Sequence, residues 1–414
     1  MALRAHVIGA GVAGLAAAVE LEKRGWAVTV HETAGHAGGR CRSFHDPALG
    51  CRIDNGNHLL LSGNRAALAY LADIGAKDSL MGPKRAAFPF LDLKTGERWT
   101  VAMGAGRVPW WIFDKARRVP GSGPVDYLRA LRLAWAAADA TVAQCLGPDN
   151  PLFRRFWEPF AVAVLNTAAT EGAASLLWPV VRETFGRGEA ACRPLIARVG
   201  LSESFVDPAL RHFAAQGVRF IANHRLRELR FQDDRVTGLN FDADDVPLSE
   251  SDAVVLAVPP AAAAGLVPGL RVPGASRAIV NGHFRLPGRV GDVSFLGLIG
   301  GAAQWLFVRG EVASVTVSAA DALADEDAGA IAERLWPEVR RALDLAETPL
   351  PAHRIVKEKR ATFAQTPAEA RLRPGARTGW KNLYLAGDWT ATGLPATIEG
   401  AVRSGRTAAE MALT

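Results

Sequence analysis

The chain has 414 residues, of which 49% are hydrophobic and 22% are charged. This composition excludes a disordered protein and allows two domains with sizeable cores. The net charge of +6 comes from lysines and arginines spread along the chain, and no nucleic-acid-binding motif accompanies them, so we expect no nucleic-acid partner.

The four cysteines form neither a C-x-x-C pair nor a metal-ligand pattern, which predicts reduced thiols and no metal site. The N-terminus lacks the charged, apolar and cleavage regions of a secretory signal. No stretch reaches the roughly 18 uninterrupted apolar residues of a membrane span. We therefore expect a cytoplasmic protein that is either soluble or peripheral on the inner face of the cytoplasmic membrane.

The first predicted element is a strand–helix–strand unit. The apolar run "AHVI" at residues 5–8 is typical of a buried parallel strand, and residues 12–24 predict an alanine-rich helix that ends at Gly25. The run "WAVTV" predicts the second strand, which ends at Glu32.

The turn between the first strand and the helix carries the pattern G-x-G-x-x-G. Gly9 permits a tight turn, Gly11 lets the backbone approach a pyrophosphate, and Gly14 lets the helix pack closely on the strand. The helix begins with Val12 and Ala13, where free N–H groups and partial positive charge favour phosphates. In this context the motif predicts a dinucleotide-binding site.

Glu32 supports dinucleotide binding in general, and the segment that follows it favours FAD over NAD. Glu32 can accept hydrogen bonds from ribose hydroxyls, and an acid at this position disfavours a 2′-phosphate. Gly38, Gly39 and Arg40 then bring a second close backbone approach together with a guanidinium. This combination suits a cofactor that lies extended across the sheet.

The stretch "DNGNHLLLSGN" at residues 54–64 places four polar side chains directly before three leucines. Three interpretations are open: a turn into a buried strand, a polar floor under a cofactor, or a catalytic cluster. For Asp54 we favour the turn, whereas His58 is equally compatible with a structural role and with proton transfer.

Residues 106–121 carry Trp110, Trp111, Ile112 and Phe113 between basic residues. Paired tryptophans favour the headgroup boundary of a membrane, and the flanking cations would be attracted to anionic lipid. The segment therefore predicts a peripheral membrane contact, and the alternative is that both tryptophans belong to a core.

Two further segments predict helices between the cofactor motifs. Apolar side chains recur at spacings of three and four in residues 128–142, which predicts one helix with its stripe in the core; the side chains are Leu128, Leu131, Trp135, Ala138 and Val142. The apolar run at residues 160–181 suits either the wall of an apolar tunnel or an ordinary core helix. Asn166 interrupts this run and is a candidate for contact with a substrate.

The remaining predicted elements lie in the second half of the chain. Residues 217–241 predict a strand, a turn and a hairpin, and "DAVVLAVPP" predicts a buried strand closed by prolines. The run "NLYLAGD" predicts a strand that leads into Gly387 and Asp388, and a small-residue helix follows from Ile398. Two interpretations of Asp388 are open: it binds a cofactor, or it is a plain turn residue.

Together, the glycine turn, the Gly-Gly-Arg segment and the Gly-Asp–helix element resemble the superfamily of FAD-dependent amine oxidases and phytoene desaturases. The resemblance implies an α/β fold in which a Rossmann-like FAD-binding domain is interleaved with an α+β substrate domain. The FAD-binding domain would comprise residues 1–65, 200–265 and 376–414. The substrate domain would comprise residues 66–199 and 266–375.

This resemblance also implies roles for individual residues. Asp388 would bind the ribityl chain while the helix from Ile398 faces the flavin, and the backbone of Leu226 would meet adenine. Gly56 would let the backbone approach the flavin ring. Asn57 and His58 would then lie near the flavin edge. The polar cluster at residues 54–58 would thus be a cofactor floor, with His58 as a catalytic candidate.

A closer resemblance is to the hydroxysqualene dehydroxylases of hopanoid synthesis. It rests on "DNGNHLLLSGN", "FWEPFAVAVLNTAATEGAASLLWPVV" and "GDWTATGLPATIEGAVRSG". It implies reduction of hydroxysqualene to squalene, with loss of the hydroxyl as water and hydride transfer from reduced FAD. The substrate would be a long apolar isoprenoid, and FAD would be recharged by an electron donor that the sequence does not identify.

Three alternatives remain at this stage. A carotenoid-type or dehydrosqualene desaturase would share the apolar tunnel but run oxidatively. An amine oxidase usually places an aromatic residue ahead of the final helix, and "GLPATIEG" contains none. A non-catalytic prenyl-binding protein on the same fold would bind no reducible FAD.

Overall fold

A computed structural model describes residues 3–242, 244–290 and 294–413. The strands are β1 (Arg4–Ile8), β2 (Ala27–His31), β3 (Ser43–Asp46), β4 (Cys51–Asp54), β5 (Leu60–Leu61), β6 (Leu80–Met81), β7 (Ala87–Asp92), β8 (Arg98–Ala102), β9 (Pro194–Ala197), β10 (Arg219–Ile221), β11 (Leu226–Gln232), β12 (Arg235–Phe241), β13 (Asp245–Pro247), β14 (Ala253–Leu256), β15 (Ser276–Arg285), β16 (Phe295–Ile299), β17 (Trp305–Arg309), β18 (Val312–Val317), β19 (His353–Phe363) and β20 (Leu383–Leu385). The α-helices are α1 (Val12–Lys23), α2 (Arg65–Asp73), α3 (Pro124–Leu128), α4 (Val142–Leu146), α5 (Glu158–Leu165), α6 (Ala174–Glu183), α7 (Glu189–Cys192), α8 (Asp207–Gln216), α9 (Pro260–Leu266), α10 (Asp321–Asp325), α11 (Ala328–Ala342), α12 (Pro367–Arg371) and α13 (Ile398–Ala412).

The first sheet is parallel and has the strand order β10-β2-β1-β14-β20. Its central strands are short apolar runs, which suits strands covered on both faces. Helices α1 and α13 pack on each other beside this sheet, where Gly405 approaches the backbone of Ala13 so closely that a Cβ would clash. The predicted α/β fold with a strand–helix–strand start is confirmed.

The five strands of this sheet all lie within the three predicted pieces of the FAD-binding domain. This distribution supports our proposal that residues 1–65, 200–265 and 376–414 form one discontinuous unit.

The second sheet has seven strands in the order β19-β15-β18-β17-β16-β7-β8 and is antiparallel except for the pair β16 and β7. Alternation along β15 gives its faces different surroundings. Val280 and Phe284 join the core with α11, whereas Asn281 and His283 face the opposite way toward β4 and the segment after it. This polar face positions the candidate site.

One prediction about the helices is wrong. Residues 128–142 do not form one helix: α3 ends at Leu128, a 3-10 helix covers Arg129–Trp135, and α4 begins at Val142. Of the predicted core stripe, Val142 is buried, but Leu128, Leu131, Trp135 and Ala138 are exposed. A 3-10 helix has three residues per turn, so a spacing of three and four no longer defines one face; here Leu131 and Trp135 point to solvent while Leu133 points inward.

Within the described residues, we find no helix both long enough and apolar enough to cross a membrane.

Candidate cofactor and substrate site

The glycine turn after β1 has the geometry that its sequence predicts. A Cβ at Gly14 would lie 1.9 Å from the carbonyl oxygen of Gly9, so only glycine allows α1 to start this close to the turn. A Cβ at Gly11 would instead meet no atom within 4 Å. No side chain caps the N-terminus of α1, which starts at Val12 and Ala13. Its first N–H groups can therefore serve a phosphate.

Glu32 lies beside the same turn. Its Oε2 accepts a hydrogen bond from the N–H of Ala10 at 2.7 Å, and its Oε1 accepts one from the N–H of Ala34 at 2.8 Å. These bonds fix the carboxylate next to the glycine turn, and each oxygen keeps a second lone pair for a ribose hydroxyl. The N–H of His224 donates to the carbonyl of Glu32 at 2.8 Å, which brings Leu226, two residues further along the chain, near the same turn.

The Gly-Gly-Arg segment packs directly against the glycine turn. The N–H of Gly38 donates to the carbonyl of Ala10 at 2.8 Å, and a Cβ at Gly39 would lie 3.4 Å from the Cα of Gly11. The structure thus brings two predicted backbone approaches to one place.

Arg40 joins this segment to the far end of the chain. Its Nη2 forms an ion pair with Oδ1 of Asp388 at 2.8 Å, and its Nη1 donates to the carbonyl of Ala361. Asp388 raises the pKa of the Arg40 guanidinium, so the pair remains charged. Two predicted FAD contacts, 348 positions apart, therefore meet.

The start of the C-terminal element is tightly fixed. A Cβ at Gly387 would lie 2.4 Å from Nε1 of Trp389, and the N–H of Gly387 donates to Oγ of Ser404 at 2.8 Å. Ile398 is the first residue of α13, and Thr397 caps this helix through the N–H of Gly400. The helix N-terminus therefore follows the loop that carries Asp388.

The predicted cofactor floor is held by the second sheet. Nδ2 of Asn57 donates to Oγ1 of Thr316 at 3.1 Å, and this hydroxyl donates to Oδ1 of Asn281 at 2.8 Å. Nδ2 of Asn281 donates to the carbonyl of Asn55 at 3.2 Å. A Cβ at Gly56 would lie 3.0 Å from the same Nδ2, so a side chain there would crowd this amide.

His58 lies beside a cavity of about 310 Å³. Asn57, His283 and Arg309 supply polar surface to this cavity, and Phe307 supplies apolar surface. Burial lowers the pKa of His58, so the ring is neutral near pH 7. Among the residues that the structure describes, neither ring nitrogen of His58 has a hydrogen-bond partner.

Asp54 has a structural role. The side chain is buried and accepts hydrogen bonds from Oγ of Ser43 at 2.6 Å and from the N–H of Leu201 at 2.9 Å. It also forms an ion pair with Arg309 of β17 at 2.8 Å. These bonds link the hairpin β3–β4 to the second sheet, which supports a structural rather than a catalytic role for Asp54.

Asn166 ends helix α5 in the left-handed conformation, with φ of 44°. Its Nδ2 donates to the carbonyl of Arg277 and to Oγ1 of Thr362, and its Oδ1 accepts from the N–H of Ala319 at 2.7 Å. The amide is buried, and its nitrogen and its oxygen are both bonded to the protein. A substrate contact for Asn166 stays a prediction that this placement does not favour.

Three residues of the site were not identified from the sequence: Asn281, Thr316 and Arg373. Asn281 interrupts the apolar run "AIVNGHF", and a polar residue on one face of a buried strand is the signal that could have revealed it. Thr316 and Arg373 carry no comparable signal, because their partners are distant in sequence.

Comparisons with known proteins agree with this geometry. Residues 12–413 match the family described as flavin containing amine oxidoreductase. The chain is 49% identical to a hydroxysqualene dehydroxylase of Rhodopseudomonas palustris, over 100% of this chain and 99% of that protein. It is 47% identical to a hydroxysqualene dehydroxylase of Sinorhizobium fredii, over 99% and 98% of the two chains.

The chain is also similar, more distantly, to a further relative by sequence and to a solved structure. A probable zeta-carotene desaturase of Synechococcus elongatus is 26% identical over 62% of this chain and 58% of its own. The solved structure of cyclohexylamine oxidase from Brevibacterium oxydans matches with a TM-score of 0.70 and 17% identity, over 100% and 99% of the two chains.

Proposed function

This chain belongs to the flavin containing amine oxidoreductase family and, within it, to the hydroxysqualene dehydroxylases, and we propose that it reduces hydroxysqualene to squalene. In this reaction the allylic hydroxyl leaves as water, after taking up a proton, and a hydride takes its place on carbon. The observation that carries the proposal is the similarity of the whole chain to proteins of that name.

The cofactor is FAD, which supplies the hydride when it is bound and reduced. We assign the pyrophosphate to the turn from Gly9 to Gly14, the ribose to Glu32 and the ribityl chain to Asp388. The bare backbone at Gly11 and the clustering of Arg40 with Asp388 support this assignment, because they fit a long phosphate-bearing molecule.

We propose that His58 relays the proton. A neutral imidazole can accept a proton at one nitrogen while it releases another, and the lowered pKa keeps His58 neutral. Its ring lines the cavity next to Asn57, whose amide is held by Thr316. Phe307 and Ile196 supply apolar surface to the same cavity, and Arg52, Arg285 and Arg309 are among the charged residues that also line it.

We further propose that the protein takes its substrate from a membrane surface. Seven of the ten large hydrophobic side chains that are exposed in the described residues lie between positions 108 and 135. Trp110 and Phe113 are exposed, whereas Ile112 is buried and Trp111 packs edge-on against Tyr127 with ring centroids 5.2 Å apart. Two of the four side chains predicted to meet lipid, Trp110 and Phe113, are therefore exposed.

The second part of this surface is the exposed stripe that follows. Val125, Leu128, Leu131 and Trp135 are exposed, and their segment packs against residues 110–113 through the Trp111–Tyr127 contact. Exposed cations accompany both parts, among them Arg107, Lys115 and Arg132. Apolar side chains with interspersed cations suit an anionic bilayer, from which a water-insoluble substrate could enter.

Product analysis tests the reaction. The reduced protein is incubated without oxygen with hydroxysqualene, with phytoene or with a primary amine, and the products are separated and identified. We expect squalene from hydroxysqualene and no change in the other two compounds. Turnover of phytoene or of the amine, with hydroxysqualene untouched, would assign the protein to a desaturase or an amine oxidase instead.

A further inference from the structure

Arg373 is a buried cation in the loop between α12 and β20. Its guanidinium donates to the carbonyl of Leu394 at 2.7 Å, to that of Asp388 at 3.1 Å and to that of Thr390. Weaker contacts reach the carbonyl of Trp389 and Oγ1 of Thr392, each at 3.4 Å. All five acceptors belong to residues 388–394.

These contacts make Arg373 the centre around which this loop is folded. The loop begins with the predicted ribityl ligand Asp388 and leads to the N-terminus of α13. The face of Phe363 lies 5.2 Å from the guanidinium carbon and covers it. Five bonds to one segment restrict its conformation far more than the sequence "DWTATGL" alone would.

The charge of Arg373 has no carboxylate partner among the described residues. Its acceptors are neutral carbonyl and hydroxyl groups, and the side chain of Asp388 is bonded to Arg40 instead. Burial lowers the pKa of Arg373 to about 10, while Asp388 raises it, so the guanidinium is charged at neutral pH. The carboxylate of Asp388 thus balances Arg40, near which Glu358 is a further acid, and it forms no bond with Arg373.

We propose that Arg373 is a positioning residue of the flavin site, which shapes the loop 388–394 for FAD and supplies a buried positive charge that favours the reduced flavin. A reduced flavin carries more negative charge than an oxidised one, so an unpaired cation in this loop stabilises it. The inference rests on the proposed FAD site and adds a residue that holds the cofactor without being its direct ligand.

Two substitutions separate the two parts of this role. Arg373→Met removes both the contacts and the charge, so FAD should bind at least about tenfold more weakly, which corresponds to about 1.4 kcal/mol. The midpoint potential of the bound flavin should shift to more negative values. Arg373→Lys keeps a charge but cannot make five contacts, so FAD binding should weaken while the potential stays near that of the natural protein.

The measurements are FAD titration of the deflavinated protein and a redox titration of the loaded protein. Arg155→Met is a matched control, because Arg155 also donates to a carbonyl and lies over an aromatic ring. That ring belongs to Trp99 of β8, in the seven-stranded sheet. This control should change neither quantity.

If Arg373→Met binds FAD as tightly as the unmodified protein and its bound flavin has the same midpoint potential, the proposal is overturned. If that variant does not fold, natural FAD affinity in Arg373→Lys would overturn it as well. Failure of the unmodified protein to bind FAD would instead overturn the proposed function.

Discussion

Asp388 has two partners that depend on its charge: Arg40 in this structure and, by our assignment, the ribityl chain of FAD. Asp388→Ala removes both and leaves the Arg40 guanidinium without a carboxylate, so the FAD dissociation constant should rise by roughly tenfold to a hundredfold. Titration of the deflavinated protein measures it. Asp126→Ala serves as the control, since among the described residues Asp126 bonds to Gly123, beside α3, and to Asn150. Equal FAD affinity in both variants would refute the assignment of Asp388.

His58 should affect the rate of the reaction more than the binding of FAD. If it relays the proton, His58→Ala should slow the reoxidation of reduced flavin by hydroxysqualene by roughly 10²–10⁴-fold, the usual range for lost acid–base catalysis. Rapid mixing under anaerobic conditions gives this rate. A normal rate in the variant would show that His58 is structural.

Buried neutral histidines make the fold sensitive to acid. Burial lowers the pKa of His31 to about 3 and that of His283 to about 4, from an ordinary value of 6.5. Both rings stay neutral in the folded chain but gain a proton in the unfolded chain as the pH falls below 6.5. Stability is therefore full above that pH and decreases toward pH 4, by about 2 kcal/mol per histidine between pH 7 and pH 5.

Denaturant unfolding at pH 7 and pH 5 measures this loss. The replacement His283→Asn keeps a hydrogen-bonding group for Ser314, which pairs with His283 at 2.8 Å, but does not titrate. The variant should lose about 2 kcal/mol less between the two pH values than the natural protein does. An unchanged difference would show that His283 is not the titrating group.

The segment from residue 106 to residue 135 is the element on which membrane binding should depend. Replacing Trp110, Phe113 and Trp135 with serine should release the protein from anionic liposomes and leave its FAD content unchanged, because these side chains are exposed. Sedimentation with the liposomes measures binding. Serine at Val199 and Leu372, two exposed apolar residues elsewhere, provides the control. Undiminished binding of the triple variant would refute this surface, whereas loss of FAD would show that the segment belongs to the core.

The elements that the sequence predicts well are those with local causes. β1, α1 and β2 follow from an apolar run, a glycine turn and a small-residue helix, and all three form as expected. The segment 128–142 was predicted wrongly, because the spacing of hydrophobic side chains places them on one face only if the segment is a single α-helix, and it does not show what that face meets. Here Leu128, Leu131 and Trp135 meet solvent, while Leu133 and Tyr127 anchor the segment to the core.

The candidate site shows the same limit among its residues. The ion pair of Arg40 with Asp388 could be anticipated, since both belong to recognisable cofactor motifs. The contacts of Asn57 and Arg373 could not, because they depend on the register of distant strands and on the path of a loop. Local sequence patterns do not encode such pairings between remote segments.

In the molecule as a whole, the parallel sheet and the seven-stranded sheet meet at the cofactor floor. Asn281 and Thr316 of the second sheet hold the segment that follows β4, and Arg309 binds Asp54 at the end of that strand. The floor is thus fixed from the substrate side, while the glycine turn and Asp388 are provided by the parallel sheet. By our assignment a substrate reduced at this floor would meet both units, and the hydroxysqualene dehydroxylase relatives match over nearly the full length of the chain.

The central claim is that the protein transfers a hydride from reduced FAD to hydroxysqualene. It is tested most directly by mixing the fully reduced, FAD-loaded protein with hydroxysqualene in the absence of oxygen while the flavin absorbance is followed. The account predicts that the absorbance of oxidised flavin returns with one squalene formed for each flavin. Flavin that stays reduced in the presence of hydroxysqualene, with no squalene formed, would contradict it.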